Sequence, residues 1–257
     1  MRARTMSFAE VSGERIHYEE AGKGAAGQPT VLFVHGAGGS SGTWKKQLAG
    51  LRGRHLVAVD LPGHGESGGE PQDEIAGYRE FVRCFAQVLG LKRFVLAGHS
   101  MGGGIALDLA LTYPETLAGI ILVGSGARLK VSPAILEVLA EGKHPLGSVK
   151  YMYARNADEK ILDEARKEME QVSAQVFESD FQACNRFDVR ERVASVGVPA
   201  LILCGEDDLM TPVKFSRYLR DKMLSTTLIL VPAAGHMVMS EQPQAVNRSI
   251  EDFLATL

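Results

Sequence analysis

The 257-residue sequence is poor in most features that would single out a special class of protein. Its three cysteines, Cys84, Cys184 and Cys204, are odd in number and show no C-x-x-C spacing. That excludes a disulfide framework and leaves reduced, mostly buried thiols as the expectation. The seven histidines contain no HExxH or HxH pair, so neither a metal site nor any other cofactor is expected. The longest apolar segment, 117–124, falls far short of the roughly 20 residues needed to span a bilayer. Arg2 and Arg4 are followed by no apolar stretch, which argues against a signal peptide and for a cytoplasmic protein. With 28 basic and 31 acidic residues there is no excess of positive charge for nucleic acid or an anionic membrane. What remains is ordinary globular composition, 45% hydrophobic and 23% charged, and a small, roughly neutral molecule as the expected partner. The length suits one domain with a small insertion.

Two short strand-like runs, 8–11 and 15–19, flank Ser12-Gly13 and predict an N-terminal hairpin. Residues 30–34 follow as a continuous apolar strand of the kind buried on both faces, and 55–59, 93–97, 119–123, 199–204 and 227–231 share that character. Helical patterns separate them at 43–51, 75–89, 101–113, 213–223 and 245–257. The alternation implies an α/β fold, a mainly parallel sheet with helices on both faces. Residues 126–195 break the rhythm with helical stretches only. Ser132-Pro133 opens one that Gly142 closes, and Asp158 opens another with Ile161, Leu162, Ala165, Met169 and Val172 on one face. The expectation is a core of 1–125 and 196–257 with a helical lid inserted between strands.

Gly98-His99-Ser100-Met101-Gly102 fits G-x-S-x-G. By composition alone such a pentapeptide arises in about one chain in ten of this length, so its flanks decide. A strand runs straight in over 94–97 and a helix runs straight out from Met101, the strand–turn–helix setting in which the motif exposes a nucleophilic serine. So tight a turn needs residues without side chains two before and two after Ser100. It also sets the hydroxyl at a helix N-terminus, where backbone N–H groups favour developing negative charge. A serine hydroxyl needs a base, and His236 lies on a loop after the last strand. An acid to orient that histidine belongs after the preceding strand, where Glu206, Asp207 and Asp208 are all available.

His35-Gly36, Gly63-His64-Gly65-Glu66-Ser67, Gly98 to Gly102, Gly205-x-x-Asp208 and Gly235-His236 occur in that order over nearly the whole chain. In this the sequence resembles the α/β-hydrolase fold superfamily, and within it bacterial carboxylesterases and related serine hydrolases. The resemblance implies Asp208 as the acid. With Met101 N–H, the residue after the nucleophile, it implies Ala37 N–H as the second oxyanion donor. It also implies a helical lid and hydrolysis of small, fairly apolar carboxylic esters through an acyl-enzyme. The same motifs serve carbon–carbon bond hydrolases of dienoic ring-fission products, lactonases and perhydrolases, and small-molecule receptors with a slow triad. Epoxide hydrolases and haloalkane dehalogenases need Asp where Ser100 stands. Gly63 to Ser67 reads as a structural turn and His99 as a packing residue, while His17, His55 and His144 have no constellation around them. Tyr151, Met152, Phe177 and Phe181, with Tyr153 and Phe187, either line an acyl pocket or pack the lid's own helices. No cationic cluster marks a carboxylate-bearing substrate; Arg128, just after Gly124-Ser125-Gly126, is the single cation that could serve one.

Overall fold

The computed structural model describes residues 5–257; Arg2 and Arg4 lie outside the described residues. Strands β1 (Thr5–Val11) and β2 (Glu14–Ala21) form the expected hairpin, longer at its open end than the apolar runs suggest. Ser12 and Gly13 take left-handed φ values of 55° and 88° at its turn. β3 (Val31–Val34), β4 (Leu56–Val59), β5 (Phe94–His99), β6 (Leu117–Val123), β7 (Ala200–Gly205) and β8 (Thr226–Val231) complete an eight-stranded sheet of order β1-β2-β4-β3-β5-β6-β7-β8. β2 runs antiparallel to β4, and every pairing from β4 through β8 is parallel.

β3 to β7 are buried along their whole length because both faces are covered. Successive side chains of a strand point to opposite faces. Thus Leu32 and Val34 join the core beneath α2 (Ile75–Val88), α3 (Met101–Thr112) and α7 (Val213–Lys222). Val31 and Phe33 join the core beneath α1 (Lys45–Gly50), α8 (Val238–Glu241) and α9 (Pro243–Leu254). This double burial removes alternation from the strands and makes them continuous apolar runs. The stretch expected as one helix over 43–51 divides into a 3₁₀ turn, Ser41–Trp44, and α1. The terminal helix begins at Pro243 and ends at Leu254.

Between β6 and β7 lie α4 (Pro133–Ala140), α5 (Glu159–Glu170) and α6 (Ala174–Arg186). Ser132 precedes α4 with Pro133 as its first residue, but its side chain makes no capping bond. The Asp158 carboxylate does cap α5, accepting from Lys160 N–H at 2.9 Å. Gly142, at φ 70°, ends the α4 region as expected. α6 was not marked by the sequence patterns; the Ser173 side chain accepts from Gln175 N–H at its start. Leu139, Val149, Leu162, Met169 and Phe177 form a small cluster of their own, whereas Ala183, Cys184 and Phe187 belong to the main core. Among the described residues no helix is long and apolar enough to cross a membrane.

Candidate active site

Ser100 sits between β5 and α3 with φ 52° and ψ −112°, a conformation costly for any residue with a Cβ. The neighbouring backbone enforces it. Ser100 N–H donates to the Val123 carbonyl at 2.9 Å, and the Ser100 carbonyl accepts from Gly103 N–H at 2.9 Å and the Ser125 hydroxyl at 2.8 Å. The flanking glycines are steric necessities: a Cβ at Gly98 would collide with the Gly102 backbone, and one at Gly102 would lie 2.5 Å from the Val34 carbonyl oxygen. The Ser100 side chain makes no capping bond to α3, and Met101 is the first residue of that helix, where a backbone N–H has no partner within the helix.

The carboxyl-terminal ends of β6, β7 and β8 bring the remaining candidates to the same edge of the sheet. His236 Nδ1 donates to Asp208 Oδ2 at 2.9 Å in a nearly waterless setting, both side chains being at most 4% exposed. Facing a carboxylate, Nδ1 carries the proton, which leaves Nε2 as the basic nitrogen. Asp208 Oδ1 accepts from Met210 N–H at 2.9 Å and Thr211 N–H at 2.8 Å, and Oδ2 also accepts from the Thr211 hydroxyl at 2.9 Å. Burial alone would raise the Asp208 pKa, but the adjacent His236, its hydrogen bond and the Thr211 donors outweigh it and hold the carboxyl below its ordinary range. Thr211 therefore serves the carboxylate and does not cap α7, which starts at Val213 after Pro212. Asp207 points elsewhere, 3.6 Å from Arg155 Nε, with 29% of its side chain exposed.

Gly124, at φ 53°, ends β6 against this pair: a Cβ there would lie 3.1 Å from His236 Nδ1 and 3.2 Å from Asp208 Oδ2. His99 Nε2 donates to the His236 carbonyl at 3.1 Å. Burial and the adjacent His236 push the His99 pKa well down, so it stays a neutral packing residue. Glu241 was not singled out from the sequence. Its two oxygens accept from Gly235 N–H at 2.8 Å and Ala154 N–H at 2.7 Å, tying the histidine loop to the inserted segment. Burial raises its pKa.

Ala37 lies in a turn that Gly39 N–H closes onto the Gly36 carbonyl at 3.0 Å, with Gly38 at φ 64°. His35 fixes the turn's entry, its Nδ1 donating to Gly36 O at 2.8 Å and its Nε2 accepting from Leu61 N–H at 3.1 Å. That donor–acceptor pattern requires a neutral ring, and burial lowers the His35 pKa to about 4. His17 lies on Asp60 at 2.7 Å, and Asp60 also accepts from Ser41 N–H and Glu66 N–H, so the Gly63–Ser67 turn is braced from within. His55 contacts Thr30, and His144 contacts the Val172 carbonyl.

A cavity of about 930 Å³ opens over Ser100 and is walled mostly by apolar side chains, among them Leu129, Ile135, Val138, Leu146 and Met210. Tyr151 and Phe181 line it, as the aromatic pattern allowed. Met152 and Phe177 do not: Met152 offers its carbonyl to Met237 N–H, and Phe177 packs over Gly38, where a Cβ would strike its ring. Arg128 is also outside the cavity wall, paired with Asp188 at 3.6 Å.

The model of the Alpha/beta hydrolase family matches residues 31–249. Among solved structures, a thermophilic esterase is 30% identical, with a TM-score of 0.86 covering 99% of this chain and 98% of that one. The enol-lactonase from Burkholderia xenovorans LB400 superposes with a TM-score of 0.88 over 97% of this chain and all of its own, at 22% identity, a likeness of fold. The uncharacterized hydrolase YugF of Bacillus subtilis is 28% identical over 95% of this chain and 96% of its own length.

Proposed function

Since this chain belongs to the alpha/beta hydrolase family, we propose that it is a serine hydrolase cleaving small, fairly apolar carboxylic esters through an acyl-enzyme. The observation that carries the proposal is the buried His236–Asp208 pair at the end of the sheet where Ser100 is held in a strained turn at the floor of an apolar cavity. In this account His236 Nε2 takes the Ser100 proton as Oγ attacks the ester carbonyl. The carbonyl oxygen becomes an oxyanion stabilised by Met101 and Ala37 N–H. The imidazolium, steadied by Asp208, returns the proton to the departing alkoxide. Water, activated by the same His236, then releases the acid and restores Ser100.

The 126–195 segment acts as the lid that shapes substrate choice, since Leu129, Ile135, Val138, Leu146 and Phe181 come from it. Small esters fit the cavity's volume, which lies within the range of sites for drug-sized ligands. Unpaired Cys184 and Cys204, both buried, suit a reducing, cytoplasmic compartment. The test is turnover of a p-nitrophenyl acyl series, together with one lactone and one ring-fission dienone, by wild type and Ser100→Ala. Sustained ester turnover that disappears with Ser100→Ala supports the proposal. Faster turnover of the lactone or dienone would move the substrate class, and a single slow turnover would point to a receptor.

A further inference from the structure

α6 carries a carboxylate with no exposure at all, Asp180, in the middle of its apolar face. Three donors from three other parts of the fold converge on it. Gly38 N–H donates to Oδ2 at 2.8 Å, His64 Nε2 donates to the same oxygen at 2.8 Å, and the Tyr78 hydroxyl donates to Oδ1 at 2.5 Å. The Tyr78 hydroxyl is itself fixed by Gln72 N–H at 3.0 Å. His64 Nδ1 faces the Pro62 carbonyl at 2.9 Å. Both ring nitrogens thus meet acceptors, and only the imidazolium donates from both. A buried charge is retained only where it is paired and hydrogen-bonded. Here a fully buried anion meets a fully buried cation, and the anion's other partner is a backbone amide of the turn holding Ala37.

That amide is the significant one. In the four-residue turn from Gly36 to Gly39, the closing bond uses the Gly39 N–H and leaves the N–H groups of Ala37 and Gly38 without partners in the turn. Asp180 takes the Gly38 N–H, and the Phe177 ring, one helical turn earlier on the same face, presses on the Gly38 Cα. The turn is thereby locked from the lid side, with the Ala37 N–H as the donor left over. The geometry points to Asp180 as a positioning residue for the oxyanion hole: held by His64 and Tyr78, it fixes the Gly36–Gly39 turn so that Ala37 N–H meets the substrate carbonyl oxygen. The lid segment would then complete the site as well as shape substrate choice. This role rests on the proposed serine-hydrolase chemistry.

The experiment compares an activated ester with its thionoester in wild type, Asp180→Leu, Tyr78→Phe and Ser100→Ala, alongside thermal unfolding. A thiocarbonyl sulfur is a weak hydrogen-bond acceptor, so the ester-to-thionoester ratio reports the oxyanion donors specifically. Removing such a donor outright costs on the order of 10² to 10³ in rate. Asp180→Leu takes away the acceptor of the Gly38 N–H and should therefore lower kcat by about 10- to 100-fold, with KM within about threefold, and reduce the ratio by about tenfold. Tyr78→Phe, which keeps both bonds to Oδ2, should reduce the ratio by only about two- to threefold. Asp180→Leu that loses stability but keeps kcat or the wild-type ratio would overturn the positioning role and leave a plain structural strut. Should Asp180→Leu fail to fold, an unchanged ratio in Tyr78→Phe overturns it instead. Wild-type turnover by Ser100→Ala would remove the serine chemistry and this role with it. An inactive Ser100→Ala beside an unaffected Asp180→Leu removes only the latter.

Discussion

Replacing Asp208 by asparagine changes a single atom, and the structure dictates how the new amide must sit. Oδ1 is pinned by two backbone donors, Met210 N–H at 2.9 Å and Thr211 N–H at 2.8 Å, so the asparagine oxygen stays there. Its NH₂ must then occupy the Oδ2 place, 2.9 Å from His236 Nδ1. Two donors cannot face each other, so His236 moves its proton to Nε2 and loses the lone pair that the proposed mechanism uses to deprotonate Ser100. A wrong tautomer of this kind costs about 10⁴ in kcat. At about 1.36 kcal/mol per tenfold, that is about 5 kcal/mol of transition-state stabilisation. Asp207→Asn removes only a half-exposed contact to Arg155 at 3.6 Å, worth less than about 1 kcal/mol, and should leave kcat within about threefold. The assay is steady-state hydrolysis of p-nitrophenyl butyrate by both variants, with thermal unfolding to show that each is folded. Asp208→Asn retaining more than about a tenth of wild-type kcat, or Asp207→Asn proving the more damaging, would refute the reasoning.

Gly102→Ala places a Cβ 2.5 Å from the Val34 carbonyl oxygen and 2.7 Å from that of His35. It should destabilise by about 3 kcal/mol or more, lowering Tm by on the order of 10 °C in calorimetry; a Tm within about 2 °C of wild type would contradict the close approach. His64 is charged in the fold: burial opposes this, but the bond and charge of Asp180 prevail and raise its pKa above the usual 6.5. Its stabilising contribution is therefore complete below pH 6.5 and fades as the pH rises through the raised value. His64→Gln should be less stable than wild type by about 3 kcal/mol at pH 6. That gap should narrow on the alkaline side in unfolding measured across pH, and a gap that widens there would reverse the charge assignment. Val138→Phe fills part of the cavity wall, so it should raise KM for long acyl chains at least tenfold while leaving acetate esters nearly untouched. Equal effects on both would place the acyl chain elsewhere.

The sheet was legible because β3 to β7 are covered on both faces, which writes them as uninterrupted apolar runs. Ser100 and Asp208 were legible as candidates because each follows such a strand, and the glycines at 98 and 102 mark a turn that admits no side chain. His236 follows β8, whose apolar sequence suggested burial on both faces although its residues are in fact mostly half-buried or exposed. Three things were hidden. Glu241 and Asp180 act on backbone N–H groups far away in sequence, and no local pattern announces a long-range backbone contact. Asp180 did leave one trace: it falls at the second position of the stripe Phe177, Asp180, Phe181, Cys184, an acid where helical periodicity calls for an apolar residue. Phe177 and Phe181 show the third difficulty. They lie one helical turn apart and look alike in sequence, yet one presses on Gly38 while the other lines the cavity. Aromatic residues on an amphipathic helix reveal which face is buried, not what that face touches.

Every step proposed for the site depends on Ser100 as the nucleophile. The most direct measurement treats the folded protein with a fluorophosphonate and locates the adduct by peptide mass spectrometry. Stoichiometric phosphonylation of Ser100 is expected, in parallel with loss of esterase activity, with no labelling of Ser100→Ala. An adduct on another residue, or undiminished turnover by the fully labelled protein, would contradict it.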